Sequence, residues 1–88
     1  MSVTLDTACE LDPRVSLRAE PFGALAYHHV NRKLVFLKHP DVVAVVQDLA
    51  QHPTLADTLI ALGVHPDRWP SFVVAVDSLN SSEFVRVR

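Results

Sequence analysis

Eighty-eight residues, 49% of them apolar and with a formal net charge of −2, fit a single domain. A chain this short buries roughly 60–65% of the surface its unfolded form exposes, so its core is thin. Half-apolar composition excludes a disordered chain, no apolar run approaches the ~20 residues of a membrane helix, and the opening MSVTLDTACELDPR lacks the basic start and apolar stretch of a secretory signal.

Residues 1–11 are weakly patterned and are expected as a flexible lead-in. Their Cys9 is the single cysteine, has no partner for an internal disulfide, and points to a reducing cytoplasm. Asp12-Pro13 signals a turn. Val15, Leu17 and Ala19 then alternate with Arg14, Ser16 and Arg18, the pattern of a half-buried strand that Pro21 ends. Phe22 to His29 predicts a second strand, with Phe22, Ala24 and Ala26 on one face and Leu25 and Tyr27 on the other. In the break HVNRK, Asn31 tolerates the left-handed backbone of a tight hairpin connection. Lys33 to Lys38 predicts a third strand, completing an antiparallel meander.

Beyond Lys38 the period becomes helical. Pro40 suits a first helical position and Asp41 complements the positive end of the helix dipole. Val42, Val45, Val46 and Leu49 recur at helical spacing through Gln51, a helix held by packing because valine is a poor helix former. Thr54-Leu-Ala-Asp57 has the form of a capping box with Asp for Glu. Leu55, Leu59 and Leu62 follow on one face before Gly63 stops the helix. Two prolines, Pro66 and Pro70, make residues 65–70 a connector. A third helix is predicted from about Pro70 to Asn80, burying Val73 and Val76 with Phe72 and Leu79. The tail, residues 83–88, alternates over too short a span to assign. The expected fold class is α+β, a three-stranded antiparallel sheet followed by three helices covering one face, with the domain at residues 12–82.

Few residues carry chemistry. His28 and His29 are adjacent on a strand and point to opposite faces, so they do not share a metal. His39, His52 and His65 each precede a proline, which places them at helix starts or connectors. No serine sits in a nucleophile turn, and two glycines cannot build a phosphate loop. The chain is expected not to be an enzyme and to need no cofactor or metal. Charge is uneven: five basic residues face one acidic residue from Arg14 to Lys38, and one basic faces six acidic from His39 to Glu83. An acidic helical half repels a phosphate backbone, which argues against nucleic acid.

The third strand, Lys33-Leu34-Val35-Phe36-Leu37-Lys38, is apolar at every position between its lysines. A strand bordering water on one face alternates instead. Either this strand is central and covered, or it is an edge whose free N–H and C=O groups pair with a guest strand. Lys33, Lys38 and Arg32 favour an acidic peptide as that guest.

The runs Leu11-Asp-Pro-Arg-Val15, Glu20-Pro-Phe-Gly-Ala-Leu-Ala-Tyr27 and Leu34-Val-Phe-Leu-Lys38 closely resemble the peptide chaperones of mycofactocin biosynthesis, relatives of the pyrroloquinoline quinone biosynthesis chaperone. The likeness spans about residues 11–80. It implies a winged-helix-like peptide-recognition element that has lost DNA binding. It further implies that the leader of a ribosomally made precursor peptide adds as a strand beside Lys33, Leu34, Val35, Phe36, Leu37 and Lys38, against a wall of Phe72, Val73, Val76 and Asp77. The chaperone then presents the peptide to a radical S-adenosylmethionine maturase, which decarboxylates and crosslinks it. On that placement Phe36→Asp, or Val35→Pro in a chain that still folds, removes peptide binding. The alternatives are a winged-helix DNA-binding regulator, and a structural subunit forming a homodimer through its apolar edge.

Overall fold

Asp12 turns the chain into its main sheet. Its buried carboxylate accepts hydrogen bonds from the Arg14 backbone N–H and from the Arg14 guanidinium, all at 2.9 Å. The computed structural model describes residues 2–88. Its elements are β1 (Cys9–Leu11), β2 (Val15–Glu20), β3 (Gly23–His28), β4 (Leu34–Leu37), α1 (Pro40–Asp48), α2 (Leu55–Ala61), α3 (Trp69–Ser81) and β5 (Val85–Val87). Short 3-10 turns at Leu49–Gln51 and Pro66–Arg68 link the helices. The fold is α+β, and β2, β3 and β4 form an antiparallel sheet in that order.

Register fixes which side chains meet. Leu17, Ala26 and Val35 form one cross-strand row, and Ala19, Ala24 and Leu37 the next, on the face toward the helices. Ala24 and Ala26 are almost fully buried there, because α1 lies close against β3 and β4 and leaves room only for methyl groups. Val45 and Val46 of α1, Leu49 of the turn after it, Leu55 and Leu59 of α2, and Phe72, Val76 and Leu79 of α3 join the same core. The prolines act as starts: Pro40 and Pro70 fall in the first turns of α1 and α3, behind the extended His39 and after the Pro66–Arg68 turn.

Several expectations change in detail. Residues 2–11, expected as a lead-in (Met1 lies outside the described residues), are built into the fold: Val3 and Cys9 are buried, and β1 pairs antiparallel with β5. That pairing sets Glu10 opposite Arg86, and the two form an ion pair. Burial pushes the Cys9 thiol pKa up, with Arg88 opposing weakly. Phe22 stands on the opposite face from Ala24. Gly23 between them adopts φ +146°, which breaks the strand alternation, and Phe22 meets Phe36 edge-on with ring centroids 5.8 Å apart.

Leu62 does not join the buried face of α2. The helix ends at Ala61, Gly63 takes a left-handed φ of +70°, and the bonds from Gly63 N–H to Ile60 and Val64 N–H to Leu59 swing Leu62 outward. Thr58 is buried in its place, its hydroxyl donating to the Thr54 carbonyl. Only half of the capping box forms. Thr54 Oγ1 accepts from Asp57 N–H, and the shorter Asp57 carboxylate accepts from the Thr54 hydroxyl. In the hairpin between β3 and β4, Arg32 carries the left-handed φ of 61° in place of Asn31. Asn31 accepts the Lys33 N–H instead. His28 is fully buried, its Nδ1 accepting from Val30 and Asn31 N–H, its ring perpendicular to that of Phe84.

Candidate functional site: the free edge of β4

Beside β3, β4 has one paired edge and one free edge. His28 N–H donates to the Lys33 carbonyl at 3.0 Å, which makes that pair a bonded one. Bonded and non-bonded pairs alternate along an antiparallel ladder. Val35 opposite Ala26 and Leu37 opposite Ala24 therefore spend their main-chain groups on β3. The N–H and C=O groups of Leu34 and Phe36 point to the free edge. Proline at Val35 would thus break the sheet itself, so Leu34 and Phe36 are the positions that test the edge.

Side chains of β4 alternate between two environments. Leu37 is buried and Val35 half-buried on the helix side. On the other side Leu34 and Phe36 are 54% and 60% exposed, in rows with Tyr27 and Ser16 and with Leu25 and Arg18. The all-apolar strand is thus covered on one face and open on the other. Lys33 and Lys38 bracket it, both exposed. Neither they nor Arg32 forms a side-chain hydrogen bond or ion pair among the described residues.

Directly after β4 the chain enters a cleft of about 230 Å³ between α1 and α3, lined by His39, Val42, Arg68, Ser71, Phe72 and Ala75. Arg68, Ser71, Phe72 and Ala75 recur at i, i+3, i+4 and i+7, one face of a helix. Across the mouth Arg68 bonds Asp41 at 2.7 Å and lies over the Phe72 ring, 5.3 Å from its centroid. Among the α3 residues expected to form the wall, Phe72 lines this cleft. Val76 is fully buried, Val73 is packed against the core, and Asp77 accepts the Val3 backbone N–H at 2.7 Å. The sequence reading missed His39, Val42, Arg68, Ser71 and Ala75. The spacing from Arg68 to Ala75 held the signal, but an α3 assumed to begin at Pro70 leaves Arg68 out.

The two neighbouring histidines stand apart: His28 points into the core, and His29 bonds Ser16 on the open face. Among the described residues no group of three His, Cys, Asp or Glu could hold a metal, and no helix is long and apolar enough to cross a membrane.

A free apolar edge beside a cleft leaves both backbone groups and apolar surface open to a further chain. The sequence model of the peptide chaperone MftB family matches residues 8–86. The chain belongs to that family. A peptide chaperone MftB of Mycolicibacterium smegmatis is 42% identical over 80 residues, covering 91% of this chain and 78% of that one. That of Mycobacterium ulcerans is 39% identical over 80 residues, covering 91% and 73%. That of Mycobacterium tuberculosis is 48% identical over 59 residues, covering 67% and 54%. No solved structure matches the chain. The family is one of peptide chaperones, not catalysts.

Proposed function

We propose that this chain is a cytoplasmic peptide chaperone of mycofactocin biosynthesis that binds a ribosomally made precursor peptide as an added strand on β4. It delivers that peptide to a radical S-adenosylmethionine maturase. The observation that carries the reading is the free edge of β4, where the main-chain groups of Leu34 and Phe36 have no partner within the sheet. A guest strand satisfies those groups and extends the sheet to a fourth strand. Its side chains facing the helices approach the cleft, where Phe72, Val42 and Ala75 offer apolar contact and Arg68 and His39 polar contact. Each large apolar side chain buried contributes roughly 1.5–3 kcal/mol before ordering costs are subtracted.

The chaperone performs no chemistry. Holding peptide and maturase together raises the local concentration of one near the other, and the iron–sulfur and S-adenosylmethionine chemistry belongs to the enzyme. Amide hydrogen exchange tests the reading. In the free protein Leu34 and Phe36 N–H exchange quickly, while Val35 and Leu37 N–H are protected by β3. Adding a synthetic copy of the precursor peptide encoded beside this chain's gene should protect Leu34 and Phe36 specifically. Saturating peptide that leaves both exchanging quickly would refute strand addition.

A further inference from the structure

The cross-strand rows of the open sheet face are incomplete at β4, and this says what kind of peptide fits. One row runs Arg18, Leu25, Phe36 and the other Ser16, Tyr27, Leu34. Leu25 and Tyr27, flanked on both sides, are half-buried. Phe36 and Leu34 end their rows and keep 60% and 54% of their surface exposed. Phe22, 43% exposed, meets the Phe36 ring edge-on and still leaves most of it open. On the helix side the corresponding ends, Leu37 and Val35, are already buried or half-buried. A strand laid along β4 therefore has more apolar surface to cover on the side away from the helices.

Charge decides between a peptide and a second copy. Two copies of β4 paired antiparallel would bring the Arg32–Lys33 end of each alongside Lys38 of the other, like charges at both ends of the seam. A guest carrying carboxylates at its ends meets the same cations favourably. Arg32, Lys33 and Lys38 have no ionic partner among the described residues.

We infer that the chaperone selects a peptide segment with large apolar side chains at two alternate positions facing away from the helices, packed beside Leu34 and Phe36, and with acidic residues at its ends. The inference rests on strand addition and deepens it. The outward row is the principal source of affinity, and the cleft supplies the rest. Cross-strand contact is direct: each outward guest side chain extends the row of Phe36 or of Leu34 by one place.

The test is a set of double-mutant cycles by calorimetry. A synthetic copy of the precursor peptide encoded beside this chain's gene is alanine-scanned against the wild type, Phe36→Ser and Leu34→Ser. Both protein positions are exposed, so the variants keep the fold, which amide spectra verify. Two peptide positions, two residues apart, should each lose about tenfold in affinity on the wild type, the value of one well-buried side chain. Each loss should shrink toward nothing against one of the two serine variants. Lys33→Gln with Lys38→Gln should weaken binding and flatten its salt dependence. If Leu34 and Phe36 amides gain protection while both serine variants bind as tightly as wild type, the outward row is overturned and strand addition survives. If no protection appears, strand addition fails and the outward row with it. Unchanged affinity and salt dependence in the double lysine variant overturns the acidic ends. Concentration-dependent mass without peptide binding overturns the choice of a peptide over a second copy.

Discussion

Gly23 lies so close to Leu37 that a Cβ built on it would stand 2.0 Å from the Leu37 carbonyl oxygen. That oxygen is backbone in the bonded pair that anchors the end of β4 to β3, so nothing flexible can yield. The Gly23 φ of +146° is also a conformation that side chains with a Cβ avoid. Gly23→Ala should cost about 2–3 kcal/mol in urea unfolding, the scale of a strongly strained backbone position. The largest amide shift changes should fall at 36–38. A variant of unchanged stability would mean that β4 is not held by this close approach. Because Gly23 also sets Phe22 beside Phe36, the same substitution should weaken peptide binding.

Phe84 is 1% exposed and its ring stands perpendicular to that of His28, 5.8 Å away. Phe84→Ala should therefore cost about 3–5 kcal/mol, as large aromatic deletions from cores do. A chain ending at Ser82 loses Phe84, Val85 and the strand that pairs with β1. It should lose cooperative unfolding in denaturant, and a sharp transition from that shortened chain would place β1 and β5 outside the folded unit.

The contrast between these segments and the rest shows what the sequence could carry. β2, β3, β4 and the three helices were legible because their periodicity, prolines and Gly63 are local signals. β1 and β5 are three residues each, and Glu10 meets Arg86 across 76 residues, which leaves no local trace. At the site, Leu34-Val35-Phe36-Leu37 stood out by composition, yet four apolar residues in a row cannot say which two face water. Packing under α1 makes that assignment, burying Leu37 and leaving Leu34 and Phe36 exposed. The bonded pair at His28 and Lys33 shows which main-chain groups face the free edge. The face of α3 turned on where the helix begins, and the 3-10 turn at Pro66–Arg68 brings Arg68 into line with Ser71, Phe72 and Ala75. Alternation failed at Phe22 because a glycine backbone, not a side-chain preference, fixed its direction.

Asp12 gives the fold a defined response to acid. Hydrogen bonds from the Arg14 side chain, more than any other contact, hold its carboxyl well below the usual carboxylate range, with burial opposing. A group whose folded pKa is depressed adds stability above its unfolded pKa, about 3.9 for Asp, and that stability is lost as pH falls toward the folded value. Unfolding free energy should therefore be steady near neutrality on this account and fall below about pH 4. Asp12→Asn should be less stable at pH 7 and should lose less on acidification. Parallel stability curves for the two proteins from pH 7 to 2 would refute the assignment to Asp12.

Arg32 and Glu83 hold left-handed backbone, φ 61° and 68°, and Asn31 links the two turns by donating to Glu83 at 3.2 Å. Glu83 follows α3: its N–H bonds Asn80 and the Phe84 N–H bonds Leu79, the pairing that closes a helix around a residue best filled by glycine. Glycine at either position relieves a strain of about 1 kcal/mol relative to alanine there. The two sites differ in function. Glu83→Gly and Glu83→Ala lose the Asn31 contact alike, so Glu83→Gly should unfold at higher denaturant than Glu83→Ala with peptide affinity the same in both. Arg32 stands at the basic end of the edge strand. Arg32→Gly should exceed Arg32→Ala in stability by a similar margin, yet both should bind the precursor peptide more weakly than wild type at low salt. Equal peptide binding by wild type and both Arg32 variants would remove this cation from the site and leave Lys33 and Lys38 to attract the guest.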